Sequence, residues 1–213
     1  MKLHHIIGIS VLLGLAPAAM AQKWEFGGAV GGSFYGSQDV TNGSSSAAAS
    51  FEKNIAGSIF LDNSSGKHWG GEVRYDYERG DMRLSQGAIA TTYGAESHAM
   101  HYDFLWHATA PGSSIRPFVA FGGGLKFYRG TGADQVAPPL MQYALLTRAV
   151  DYQPMVSVGA GVKFNLSKKL QFRLEVHDYM TPFPNKVIAP NTGSKTGGWM
   201  QNIVPSVGIA ALF

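Results

Sequence analysis

Ile203-Val204-Pro205-Ser206-Val207-Gly208-Ile209-Ala210-Ala211-Leu212-Phe213 is the stretch from which the fold can be read. Ile203, Pro205, Val207, Ile209, Ala211 and Phe213 take every second place, and a period of two puts them all on one face of an extended segment. The other face, Asn202, Val204, Ser206, Gly208, Ala210 and Leu212, is smaller and more mixed. Such a strand cannot lie alone, because an edge and a greasy face would both be left unsatisfied. It is expected to close a membrane-spanning β-barrel by pairing with the first strand of the processed chain, since lipid offers no partner for an open edge.

Working upstream, the same alternation returns about eight times. Leu170, Phe172, Leu174 and Val176 oppose Gln171, Arg173, Glu175 and His177, and Val156, Val158, Ala160, Val162 and Phe164 oppose Ser157, Gly159, Gly161, Lys163 and Asn165. Val119, Phe121, Gly123, Leu125 and Phe127 share a face opposite Lys126 and Tyr128. Met100, Tyr102, Phe104 and Trp106 are set against His101, Asp103, Leu105 and His107. The clearest case is Trp69 to Glu78, where Trp69, Gly71, Val73, Tyr75 and Tyr77 are uncharged and Glu72, Arg74, Asp76 and Glu78 are all charged. Phe51 to Leu61 is a weaker segment. Trp24, Phe26, Gly28, Val30, Gly32 and Phe34 form the first.

The opening 21 residues read as an address. Lys2 is a positive n-region, Ile6 to Leu15 an apolar run, and Ala19-Met20-Ala21 a cleavage pattern, so residues 1–21 are assigned to a cleaved signal peptide and 22–213 to one barrel domain. Charged residues make up 15% of the chain, below the roughly 25% of soluble domains. The 27 glycines point the same way. A net charge of +3 with scattered basic residues excludes a nucleic-acid signature. With no cysteine, an exported chain has to hold itself together without disulfides. No apolar run after the signal approaches the length of a spanning helix.

Connection lengths set an orientation. Those after segments two, four and six are short and those after one, three, five and seven long, which places the short turns and both termini in the periplasm. Trp24, Trp69, Trp106, Phe164 and Phe213 then form one aromatic girdle, and Tyr35, Phe51, Tyr77, Tyr102, Tyr152, Tyr179 and Trp199 the other. Arg129 to Gln153 is read as a long connection in which Leu140 to Val150 has the makings of a short helix, either a surface loop or a lid. Ten strands instead of eight are open if that connection, or Met82 to Tyr93, adds a hairpin to the barrel.

Arg116-Pro117-Phe118-Val119-Ala120-Phe121-Gly122-Gly123-Gly124-Leu125, the glycine-rich Val156 to Lys163 and the terminal Phe213 resemble the small OmpA- and OmpX-like outer-membrane β-barrel families. The resemblance implies an all-β fold, an eight-stranded antiparallel up-and-down transmembrane barrel in the bacterial outer membrane. It implies delivery by periplasmic chaperones and insertion by the barrel-assembly machinery, which reads the terminal aromatic, here Phe213. The expected surroundings are outer-membrane lipids and lipopolysaccharide, and the expected state a monomer. The peptidoglycan-binding domain that follows the barrel in OmpA has no counterpart in the sequence, so anchoring to the cell wall is not carried over.

Function has to come from the face assigned to the interior. Its charges are Glu72, Arg74, Asp76, Glu78, Asp103, Lys126, Lys163, Arg173 and Glu175, and their near balance favours mutual pairing. Eight strands enclose a space that side chains can fill, so these groups are expected to form a salt-bridged plug with a structural role. The protein then serves envelope integrity or a surface interaction. A narrow pore for ions or small solutes is the alternative within the same fold. A lipid-modifying enzyme is the rival class, but neither a His-x-Ser pair nor Gly-x-Ser-x-Gly occurs after the signal. In Glu96-Ser97-His98 the serine points away from its neighbours, and the same-face pairs His101/Asp103 and Glu175/His177 are read as buried polar packing. No catalytic residue, cofactor or metal site is assigned. A soluble lipocalin-like carrier would need the charged face outside.

Overall fold

The computed structural model describes residues 24–64, 66–133 and 139–213; the expected signal peptide lies outside them. Strand β1 (Trp24–Tyr35) leads into a hairpin of β2 (Gln38–Asn42) and β3 (Ser45–Phe51), followed by β4 (Asn54–Asn63) and β5 (Trp69–Arg79). A second hairpin, β6 (Met82–Gln86) and β7 (Ile89–Tyr93), precedes β8 (Ala95–His107) and β9 (Ile115–Gly130). Then come β10 (Ala144–Leu146), β11 (Val150–Asn165), β12 (Leu170–Pro182), β13 (Ile188–Pro190), β14 (Ser194–Lys195) and β15 (Trp199–Leu212). Among the described residues there is no helix.

Eight of these strands close into a barrel in the order β1-β4-β5-β8-β9-β11-β12-β15, every neighbour antiparallel. The closing seam is the expected one: Val30 pairs with Val207, Phe26 with Ala211, and the Trp24 and Phe213 backbones exchange N–H to O bonds of 2.9 and 3.0 Å. No edge remains. The stripes face as alternation requires, with Val30, Met100 and Ile209 each more than half exposed and Glu72, Arg74, Asp76 and Glu78 at most 2% exposed. An outer wall of this kind needs a hydrocarbon surrounding, which removes the soluble-carrier reading.

Near the short turns, Trp24, Trp69, Trp106 and Phe213 are exposed as a girdle should be. The far girdle needs correction. Tyr77, Tyr102, Tyr152 and Trp199 do face outward, but Tyr35, Phe51 and Tyr179 do not. Tyr35 and Tyr179 sit on inward positions and hydrogen-bond to Glu78 and Asp76, and Phe51 belongs to a loop strand.

The long connections are themselves folded. β14, β2, β3, β6 and β7 form a five-stranded sheet, and β10 pairs with β13. Met82 to Tyr93 therefore makes a hairpin, as one alternative had it, but outside the barrel. Leu140 to Val150 contains β10 and no helix, because Ala144 to Leu146 takes the edge offered by Ile188 to Pro190. Inside this layer Val40, Ala49, Phe51, Met82, Leu84 and Ile188 pack into an apolar cluster with Leu140, Tyr143 and Met200. It lies over the outer mouth, continuous with the barrel through Phe51, whose ring stacks on Tyr128 at 5.1 Å.

Candidate functional site

The lumen is the place where the chain's chemistry is concentrated, and it is organised in tiers. At the short-turn end Lys163, on β11, reaches Glu25 at 2.7 Å, the Asp62 carboxylate and the Ser64 hydroxyl at 3.1 Å. Arg116, the register partner of Lys163, donates to the carbonyls of Ser64, Gly66 and Thr109, tying two neighbouring short turns together. Glu72 then bridges two guanidiniums, Arg74 at 2.7 Å and Arg173 at 2.7 Å, and Glu175 bridges the same two at 2.5 and 3.3 Å. Arg173 is sandwiched between inward-facing rings, 4.2 Å from Phe60 and 5.2 Å from Phe118.

The middle tier is built on His101. Its two ring nitrogens lie 3.0 Å from Asp76 and 3.1 Å from Asp103, so one imidazole spans two carboxylates. Ser157 donates to Asp103 at 3.0 Å and Tyr179 to Asp76 at 3.2 Å. His177 stands beside them, 3.7 Å from Asp103, with neither ring nitrogen hydrogen-bonded among the described residues. In the upper tier Lys126 donates to Glu78 at 2.7 Å and is surrounded by the rings of Tyr35, Tyr128 and Tyr179 at 5.0 to 5.7 Å. The second oxygen of Glu78 accepts from Ser33, Tyr35 and Asn202. A buried carboxylate held by four donors is a fixed point, since losing any of them leaves an unsatisfied charge.

All nine charges singled out in the sequence are buried here: Glu72, Arg74, Asp76, Glu78, Asp103, Lys126, Lys163, Arg173 and Glu175. They form three linked groups. Sequence reading missed Glu25, Asp62 and Arg116, which are equally buried. The signal was present: Glu25 alternates with Trp24 and Phe26, and Asp62 continues the inward series of Ala56 and Phe60 one place beyond the assigned end of that segment. Phe213 lies at the short-turn end, 69% exposed.

One lumen serine meets a histidine: the Ser64 hydroxyl lies 3.4 Å from His107 Nε2, but it donates to Asp62 at 2.5 Å and accepts from Lys163 at 3.1 Å. Ser97 is buried and bonded to Tyr35 at 2.9 Å, whereas Glu96 and His98 stand on the outer wall. Ser157 is bonded to a carboxylate and not to a histidine. Among the described residues no group of His, Asp and Glu has the geometry of a metal site.

No protein-family model and no curated protein matches the sequence. Solved structures do. The outer membrane protein OprG from Pseudomonas aeruginosa aligns over 91% of this chain and 96% of its own with a TM-score of 0.59 at 11% identity. The fold is that of the small outer-membrane β-barrels. Neisserial surface protein A aligns over 90% of this chain and 97% of its own, with a TM-score of 0.55 at 9% identity. Outer membrane protein AlkL aligns over 93% and 94%, with a TM-score of 0.53 at 10% identity. For an outer-membrane barrel the alternation is diagnostic and the side chains are free to vary, which is why the backbone matches and the sequence hardly does.

Proposed function

We propose that this chain is a sealed barrel of the bacterial outer membrane, acting in envelope integrity and through the surface its folded loops present. The observation that carries the reading is the paired charge that lines the lumen from one end to the other. Arg116 binds two neighbouring short turns together, three tiers of paired charge occupy the bore, and an apolar loop layer packs against the opposite end. A charge inside such a bore is immobilised by its partners, so it supports the wall and not a current. On this reading residues 1–21 are removed at export, Phe213 is the handle taken by chaperones and the assembly machinery, and the barrel is a monomer among lipids and lipopolysaccharide.

Planar-bilayer recording tests the proposal. The reconstituted protein is expected to give no steady conductance steps; reproducible steps would overturn it. A narrow ion path is the second reading, favoured by the unpartnered His177 ring nitrogens in mid-bore, where a water fits the chemistry. Mass analysis of lipid A from cells with and without the protein separates both from the enzyme class, which would leave a changed lipid.

A further inference from the structure

The outer wall carries a feature that the sealed lumen does not use. Where β5, β8, β9 and β11 leave the apolar belt on the loop side, register brings Tyr77, His98, Phe127 and Tyr152 into one outward row. One step further from the belt it brings Arg79, Glu96 and Arg129 into a second. The rings form a continuous strip: Tyr77 to His98 is 5.1 Å, His98 to Phe127 is 4.5 Å with planes 10° apart, and Phe127 to Tyr152 is 5.6 Å.

In the charged row Glu96 is the one acid. It is held by Arg129 at 3.3 Å and by the Tyr77 hydroxyl at 3.2 Å, with His98 at 3.8 Å. The Arg129 side chain remains 59% exposed, and Arg79 enters none of the ion pairs found among the described residues. Lys53, at the top of β4, lies 5.7 Å over the Phe34 ring and likewise has no carboxylate partner there. Neighbouring Glu52 is already paired with Arg83 at 3.1 Å. The cationic excess is one-sided: near the outer ends of β12 and β15 the outward residues are Asp178, Met180, Trp199 and Gln201.

Rings at this position sit at headgroup depth, and cations just beyond them stand where headgroup phosphates lie. We propose that the outer ends of β4, β5, β8 and β9 form a binding site for a phosphorylated glycolipid of the outer leaflet. Arg79, Arg129 and Lys53 take its phosphates, and the ring strip covers the junction between sugar and acyl chains. Glu96 fixes Arg129 in place and opposes the anion, so it sets the affinity below what the cations alone would give. The proposal rests on the membrane orientation inferred above.

The test uses the full processed chain folded in zwitterionic micelles, with lipid retention read by native mass spectrometry. The probes are bisphosphorylated lipid A, its dephosphorylated form and phosphatidylglycerol. The bisphosphorylated lipid is expected to be retained at least tenfold more strongly than either of the others. Arg79→Gln with Arg129→Gln removes that difference, and Glu96→Gln enlarges it severalfold. Lys168→Gln with Lys169→Gln, at the opposite end of the barrel, leaves it unchanged. Equal retention of the three lipids, or full retention by the double arginine variant in its folded, heat-modifiable form, overturns the site. A chain that never takes the heat-modifiable form refutes the membrane reading itself, and the site with it.

Discussion

The two interiors of this molecule are built from opposite materials. Within the barrel the enclosed side chains are charged and paired, around Arg74, Arg173, Glu72 and Glu175; in the loop layer above they are apolar, around Leu84, Met82, Val40 and Ile188. The difference follows from what lies outside each. Lipid takes the apolar stripe of a barrel strand, leaving the polar stripe to fill the bore, whereas water outside the loop layer sends its apolar stripe inward. Tyr128 and Phe51 stack where the two regimes meet.

The contrast breaks most visibly if Arg173 is removed. Arg173→Met leaves Glu72 and Glu175 each with one guanidinium where there were two and takes a cation from Asp62, and unpairing buried charge costs about 3–5 kcal/mol. The urea midpoint of the heat-modifiable band is expected to fall sharply. An unchanged midpoint would mean that the bore is wet and its charges are already solvated.

Neighbouring positions on β12 separate the two faces of the wall. Leu174 faces out and Glu175 in, bonded to Arg74. Leu174→Arg near the membrane centre costs about 2–4 kcal/mol and is expected to lower the yield of inserted barrel. Glu175→Gln keeps an oxygen for Arg74 and inserts normally. If both were tolerated equally, the face assignment would be inverted.

In the loop layer the effect is smaller and local. Leu84, fully buried, loses roughly 2 kcal/mol of packing as Leu84→Ala, at the lower end for buried leucines because its neighbours are loop strands that can close in. Protease on intact cells is expected to nick the loops faster, with the barrel's unfolding midpoint unmoved. A midpoint that moved in step would show one cooperative unit where the contrast requires two.

This division also explains what was legible in the sequence. The barrel was, because each wall strand is long enough to display a clean period of two and carries charges to mark its inner stripe, as Glu72, Arg74, Asp76 and Glu78 do. The loop layer was not, because its strands run two to seven residues and its inner face is made partly of alanine, as in Ala47 and Ala49. Assigning Tyr35 and Tyr179 to a girdle failed for a related reason: a tyrosine near a strand end has the same composition signal whether it faces lipid or a buried carboxylate. Asp62 was lost to a strand end placed a residue short, whereas Glu25 lay within the first segment, whose inner stripe was not read out. Two signals in the loops were readable, Gly43-Ser44 and Gly87-Ala88, two-residue turns opening on glycine.

Those turns give the finest test of whether the loop layer holds its own shape. Gly43 has φ +59° and an added Cβ would meet nothing within 4 Å, so Gly43→Ala is opposed only by its backbone conformation. Gly57, on the barrel wall, also has open space around it, but its φ is ordinary. The pair isolates conformation from packing. Gly43→Ala is expected to cost about 1 kcal/mol, read as faster amide exchange in β2 and β3 alone. Gly57→Ala should leave exchange unchanged or slower, because a residue in an ordinary strand conformation loses only unfolded-state freedom. Faster exchange spreading from Gly43→Ala into β1 and β4 would tie the hairpin's turn to the barrel rim, and the two interiors would then respond to a single perturbation.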